Sequence, residues 1–286
     1  FGNKKIQDID LVVNNVDKKL NILAKAGFFF KKDLVNLNIK ANAANDSLYT
    51  QVGWQNSNEV NYAGELQTIT EFKNIKNFTT AQINVLPTQM IIQDTIWDLK
   101  PSQITFNQDT TFTVNNFKLQ NDNQYITLNG TASKSEVDGL EVGMNDLQVN
   151  YFLDLFNFNS LSIAGKATGN AKIFSLLKKP IFEADFKLRE TKLNDAKIGD
   201  GIIRSTWNRE KERLEANGMF FNDKGTQNLF AEGVYVPKRD SLDFTFDATK
   251  VNLGFLQRYL SSVVSNVKGV GTGKVRMSGR TKNIGF

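Results

Sequence analysis

The chain has 286 residues, 35 of them basic and 30 acidic, and it contains neither cysteine nor histidine. That composition excludes disulfides, zinc–thiolate sites, Ser-His-Asp triads and histidine acid–base chemistry. The net charge of +5 is dispersed, pairs such as Lys31 with Lys32 and Lys178 with Lys179 read as solvated turns rather than a nucleic-acid patch, and no apolar run is long enough to cross a bilayer as a helix.

Taken in order, the chain alternates apolar and polar residues with a period of two, the mark of strands with one apolar and one wet face. The predicted strands begin with Ile9 to Val13. In the next, Val35, Leu37, Ile39 and Ala41 alternate with Asn36, Asn38 and Lys40. Leu48 to Trp54 and the series Val60, Tyr62, Gly64, Leu66 follow, then Ile83 to Leu86, Ile91 to Leu99, Thr111 to Leu119 and Tyr125 to Gly130. Beyond Leu140, Val142 and Met144 comes Leu147 to Tyr151. Phe182, Ala184, Phe186 and Leu188 then alternate with Glu183, Asp185 and Lys187. Ile202 to Trp207, Leu214 to Phe220, Leu229 to Val236, the series Leu242, Phe244, Phe246, Ala248 and finally Lys274 to Met277 complete the set. Turn residues separate them at hairpin distances, as at 121–123, 222–225 and 237–240. The fold class is therefore all-β and mostly antiparallel. Helical spacing is confined to 252–267, where Leu253, Leu256, Leu260 and Val264 share a stripe, and to a shorter counterpart at 151–160. Such a helix would either plug the sheet's own core or face a ligand.

Internal repetition organises the rest. Val149-Asn150 and Val251-Asn252 each open an apolar segment that leads to Gly-x-x-x-Gly, at Gly165/Gly169 and Gly269/Gly273, with offsets of 102 and 104 residues. Gly130 and Gly233 lie 103 apart, and Gly27 another 103 upstream. The expectation is one continuous, stacked body of roughly hundred-residue units over 27–129, 130–232 and an incomplete 233–286. The chain opens on Phe1 and closes on Phe286 without an initiator methionine, as a piece of a longer chain would.

No catalytic site, cofactor or metal site is predicted. The acidic pairs Glu210/Glu212 and Asp195/Asp200 fall on the wet side near turns, and the glycines at 269–273 precede a strand rather than the helix a phosphate loop needs. Asp followed by Ser or Thr recurs at Ser47, Thr95, Thr110 and Ser241, in the form of acceptor sites for bacterial periplasmic O-glycosylation.

The segment from Val251 to Phe286, with Leu253, Phe255 and Leu256, then Gly269, Gly273 and Gly279, resembles the C-terminal repeat region of TamB-like proteins within the AsmA-like group of bridge-like lipid-transfer proteins. Gly165, Gly169 and Pro180 match in the upstream copy, and the likeness spreads over roughly residues 80 to 286. Asn283-Ile284 stands where the family commonly has proline. The resemblance implies an elongated, twisted β-taco, a U-shaped sheet with an apolar groove. It implies carriage of phospholipid between inner and outer membranes, in the periplasm of a diderm bacterium, within a longer chain anchored in the inner membrane. It further implies work with an outer-membrane barrel protein of the TamA type. Val35, Leu37, Ile39, Phe182, Ala184, Phe186, Leu188, Leu242, Phe244 and Phe246 are the expected groove lining. Two other readings stand beside it: a scaffold for outer-membrane protein assembly by strand-edge pairing, and a carbohydrate-binding or adhesive β-sandwich.

Overall fold

In the computed structural model the described residues are 6–30, 33–57, 60–75, 78–107, 111–149, 162–178, 180–257, 266–280 and 283–285. They form strands joined by short turns, and every pairing whose register is defined is antiparallel. The chain divides into two compact units, Phe1–Leu140 and Glu141–Phe286. The division falls near, but not on, the expected repeat boundary after residue 129.

The first unit is a meander. β1 (Ile6–Val16), β2 (Lys19–Phe30), β3 (Asp33–Ala44), β4 (Ser47–Asn56) and β5 (Tyr62–Ile75) pair in sequence. β6 (Phe78–Val85) and β7 (Thr88–Ile92) both pair with β5, and β9 (Ser102–Phe106) and β8 (Thr95–Leu99) pair with them in turn. Pro87 and Pro101 stand at the two breaks. Proline has no N–H to donate to the ladder, so what would be two long strands become two creased ones. β10 (Phe112–Asn121) lies along both β9 and β8, and β11 (Gln124–Ala132) follows it.

The sequence reading ran Ile91 to Leu99 together as one strand, whereas the chain reverses at Gln93 and Asp94. Both have positive φ, 50° and 61°, the signature of a type I′ hairpin turn, whose twist matches the strands it joins. Asp17/Lys18, Asn45/Asp46 and Asn194/Asp195 make the same turn.

In the second unit β12 (Gly139–Gln148, which begins at the division), β13 (Ile163–Phe174), β14 (Ile181–Leu193), β15 (Ala196–Asn208), β16 (Arg213–Phe221), β17 (Gln227–Val236), β18 (Ser241–Asn252) and β19 (Val270–Arg280) lie in sequence order. Side-chain bridges from Glu141 to Lys172 and from Asp146 to Lys166 tie β12 to β13. The short β20 (Asn283–Gly285) covers only Ser278–Arg280 of β19. Where the periodicity predicts a helix over 252–267, Leu253–Leu256 form a 3₁₀ turn capped by the Asn252 side chain, which accepts from the Gly254 N–H. Leu260, Val264 and the counterpart at 151–160 lie outside the described residues.

Bulges rather than loops shape this sheet. Asn116, Asp146, Glu190 and Lys250 sit inside strands with φ between 52° and 58°, where a side chain is strained. In each case the bulged N–H is accepted by a side-chain oxygen of the following strand: Asn129 Oδ1 at 2.6 Å, Thr168 Oγ1 at 2.9 Å, Asp200 Oδ1 at 2.9 Å and Thr272 Oγ1 at 3.0 Å. Asp146/Thr168 and Lys250/Thr272 stand 104 residues apart, the same offset as Gly165 and Gly269, which also share positive φ. The repeated sequence thus repeats a bulge and its supporting hydroxyl. The three glycines at 27, 130 and 233 have no such common role: Gly130 alone has positive φ.

Candidate functional site: one apolar sheet face

Directly opposed residues of an antiparallel pair project from the same face, so the registers define which side chains share a surface. In the second unit one row runs Ala167, Leu188, Gly201, Phe220, Leu229, Ala248, Gly273. The next runs Gly169, Phe186, Ile203, Gly218, Ala231, Phe246, Val275, and the third Ala171, Ala184, Ser205, Ala216, Gly233, Phe244, Met277. A fourth, shorter row of Trp207, Leu214, Tyr235, Leu242 and Gly279 borders them. Across seven strands the first three rows hold one polar side chain, the Ser205 hydroxyl.

Bulky and small residues alternate across the strands, and this sets the relief of the face. A β-carbon at Gly201 would lie 2.5 Å from Phe220 Cδ1, and one at Gly233 would lie 2.4 Å from Phe244 Cγ. One at Gly169 would meet Phe186 Cδ1 at 2.9 Å. Each ring therefore lies over the backbone of the neighbouring strand, where only glycine leaves it room. The result is a shallow hydrocarbon surface.

The opposite face is polar. Asp185 bridges Arg204, Asp243 bridges Arg276, Asp247 bridges Lys274, and Asp146 lies between Lys166 and Arg189. Burial raises the Asp146 pKa, but the hydrogen bonds and charges of Lys166 and Arg189 outweigh it and hold the carboxyl below its usual range. Hydrogen bonds from Arg276 likewise lower Asp243.

At one end the second sheet turns in on itself. β15 and β18, three strand spacings or about 14 Å apart in a flat sheet, come within 8 Å, and Asn228 Nδ2 donates to Ile198 O at 3.1 Å across β16. Ala196, Ile198 and Val251 are buried there, and Leu253 packs over Gly271. Away from this end, Phe244, Phe246 and Leu242 are only half-buried, and Val275 is 50% exposed. Among the described residues, the main strand contacts in this unit are with neighbours in the sheet, and β15 also approaches β18 and the 3₁₀ turn.

Of the expected lining residues, Phe186, Ala184, Phe244, Phe246 and Leu242 are half-buried on this face, and Leu188 is buried. Phe182 pairs with Ile173 beyond the third row and is 41% exposed. Val35, Leu37 and Ile39 lie in the first unit, on an equivalent apolar face with Ala26, Trp54, Gly64, Met90 and Trp97 in one row and Ala24, Val52 and Leu66 in another. Val35 is buried there, the other two half-buried.

The sequence reading missed Ile203, Phe220, Ala231 and Val275 as lining. Alternation places them on one face of their own strands, but only the register joins the faces, and no feature within a single strand encodes it. The Asp preceding Ser47, Thr95 and Ser241 has its own structural reason, since Asp46, Asp94 and Asp240 occupy positive φ at hairpin turns. Ser47 is exposed and Thr95 Oγ1 donates to Gln93 O, while Thr110 lies outside the described residues. Comparisons of the chain with protein-family models, curated proteins and solved structures return no match.

Proposed function

We propose that the apolar face of the second unit is a segment of a conduit along which phospholipid acyl chains move, within a sheet bent into an open β-taco. The reading rests on one observation: apolar rows broken only by the Ser205 hydroxyl cross seven strands, and Leu242, Phe244, Phe246 and Val275 on that face keep part of their surface exposed. Removing a CH₂ group from water stabilises by about 0.8 kcal/mol, so an acyl chain leaves a bilayer only where an equally apolar surface receives it. The rows run across the strands, and successive positions along them differ little in chemistry. Movement then needs a gradient and no covalent step. The ion-paired outer face keeps the sheet in water, and headgroups remain at the open side. In the wider reading the conduit works in the periplasm and carries lipid toward an outer membrane, with a barrel protein of the TamA type as partner.

The test is transfer of fluorescent phospholipid between donor and acceptor vesicles by the purified chain. Phe186→Arg and Phe244→Arg should lower the rate about tenfold or more with strand content unchanged, and Thr245→Arg, on the opposite face, should leave it alone. Unaltered transfer in both groove variants would overturn the reading.

A further inference from the structure

The strand ends of the second unit that lie away from its closed end combine three features. Strand direction alternates, so the connections from β13 to β14, from β15 to β16 and from β17 to β18, together with the end of β19, all fall on this side.

The first feature is charge. Lys178, Lys211 and Arg239, one on each connection, and Arg280 at the end of β19 are exposed and make no ion pair or side-chain hydrogen bond among the described residues. On the outer face, by contrast, Lys172, Arg204, Lys274 and Arg276 each bridge a carboxylate. Of the carboxylates on this side, Glu212 bridges Lys238, Glu215 bridges Arg213 and Asp240 accepts from Tyr235, which leaves Glu210. The hairpin turns at the closed end carry no such excess: Asn194 and Asp195 make one, and the other sets Asp223 beside Lys224. The second feature is spacing. Successive connections on one side are two strands apart, about 10 Å, so the cations form a ladder that runs beside the apolar rows. The third is the border between them. The last apolar row holds Trp207 and Tyr235, and the Tyr235 hydroxyl donates to Asp240 Oδ1 at 3.3 Å. Its ring therefore belongs to the apolar face and its tip to the charged turn, the position amphipathic rings take between hydrocarbon and headgroup.

We infer that this rim holds the headgroups of phospholipids with a net negative charge, passing them from cation to cation while the acyl chains move along the rows. Such selection by headgroup charge presupposes the conduit. A zwitterionic headgroup brings its own cation and gains little from Lys211 or Arg239. An anionic one gains about fivefold in affinity for each cation that meets it.

The test is competition. The purified chain is incubated with vesicles of equal parts phosphatidylglycerol and phosphatidylcholine with identical acyl chains, separated from them by flotation, and its bound lipid is quantified by mass spectrometry. Phosphatidylglycerol should exceed phosphatidylcholine about fivefold at low salt, and the ratio should fall as salt rises. Lys211→Gln, Arg239→Gln and Arg280→Gln together should bring the ratio near one with the phosphatidylcholine content unchanged. Lys187→Gln, Lys192→Gln and Lys224→Gln together remove as much charge elsewhere in the unit and should leave the ratio alone. Equal retention of the two lipids by the unmodified chain, or a preference that survives in the rim variant, would overturn the inference and leave the conduit standing. Retention of neither lipid would overturn both.

Discussion

The two units build the same kind of surface and use it differently. In the first, Pro87 and Pro101 crease two adjacent strands, and the crease collects a core: Val85, Trp97, Leu99 and Val114 are buried around it. Hydroxyls enter the apolar face at the same place, with Thr50, Thr68 and Ser102 in one row and Thr70 in the next. Trp97 Nε1 and Ser102 Oγ are buried without a hydrogen-bond partner. In the second unit no proline lies within strands β13 to β19; Phe174 and Ile181 are buried where β13 leads into β14, Ala196, Ile198 and Val251 at the closed end, and between them Phe186, Phe220 and Phe244 lie against glycines and stay half-buried. The same period-two pattern therefore gathers buried side chains around the crease in the first unit and leaves the middle of the second unit's apolar face half-exposed.

The largest expected effect is at the closed end of the second unit. A β-carbon at Gly199 would lie 1.9 Å from Phe221 O, and its φ is 116°, a conformation open to glycine alone. Gly199→Val should cost more than about 3 kcal/mol, read as the urea midpoint followed by Trp207 fluorescence. The first unit's counterpart is softer. A side chain at Gly64 would press on the Trp54 ring, 2.5 Å away, and on Met90, and a ring can move where a carbonyl cannot. Gly64→Ala should cost about 1–3 kcal/mol and shift the emission of Trp54.

Next comes pH. The Asp146 carboxyl has a folded pKa below its unfolded value, so its stabilisation is complete above about pH 4 and is lost as pH falls through the folded value. Asp146→Asn should remove about 1–2 kcal/mol at neutral pH, a discounted figure because Arg189 is 59% exposed. It should also flatten the acid limb of the stability profile. Asp243 follows the same sign through Arg276. Smallest are the bulge hydroxyls: Thr168→Val and Thr272→Val each unseat one N–H acceptor and should cost about 1 kcal/mol apiece. Equal costs support a repeated structural device, and a neutral change at one site would separate the two copies. Hydrogen exchange at Asp146 and Lys250 reads both.

Much of the fold is legible before any coordinates. Leu242, Phe244 and Phe246 alternate with Asp243 and Asp247, and no other element buries one side and wets the other in that way. The 104-residue spacing of Gly165 and Gly269 marks a recurring bulge. What local pattern hides is register and reversal. Gln93 and Asp94 lie in an otherwise strand-like run, and only their positive φ turns it into a hairpin. Asn116 and Glu190 flip the alternation of their strands, so apolar residues downstream change face without any change in composition. The joining of Phe186, Ile203 and Phe246 into one row depends on several pairings in succession, each set by the bulges and turns before it.

The most direct measurement is light-induced crosslinking of phospholipid to a photoreactive residue placed in turn at each position from Leu242 to Ala248. The conduit account expects lipid adducts at 242, 244, 246 and 248 and none at 243, 245 and 247. Adducts at both parities, or at none, would contradict it.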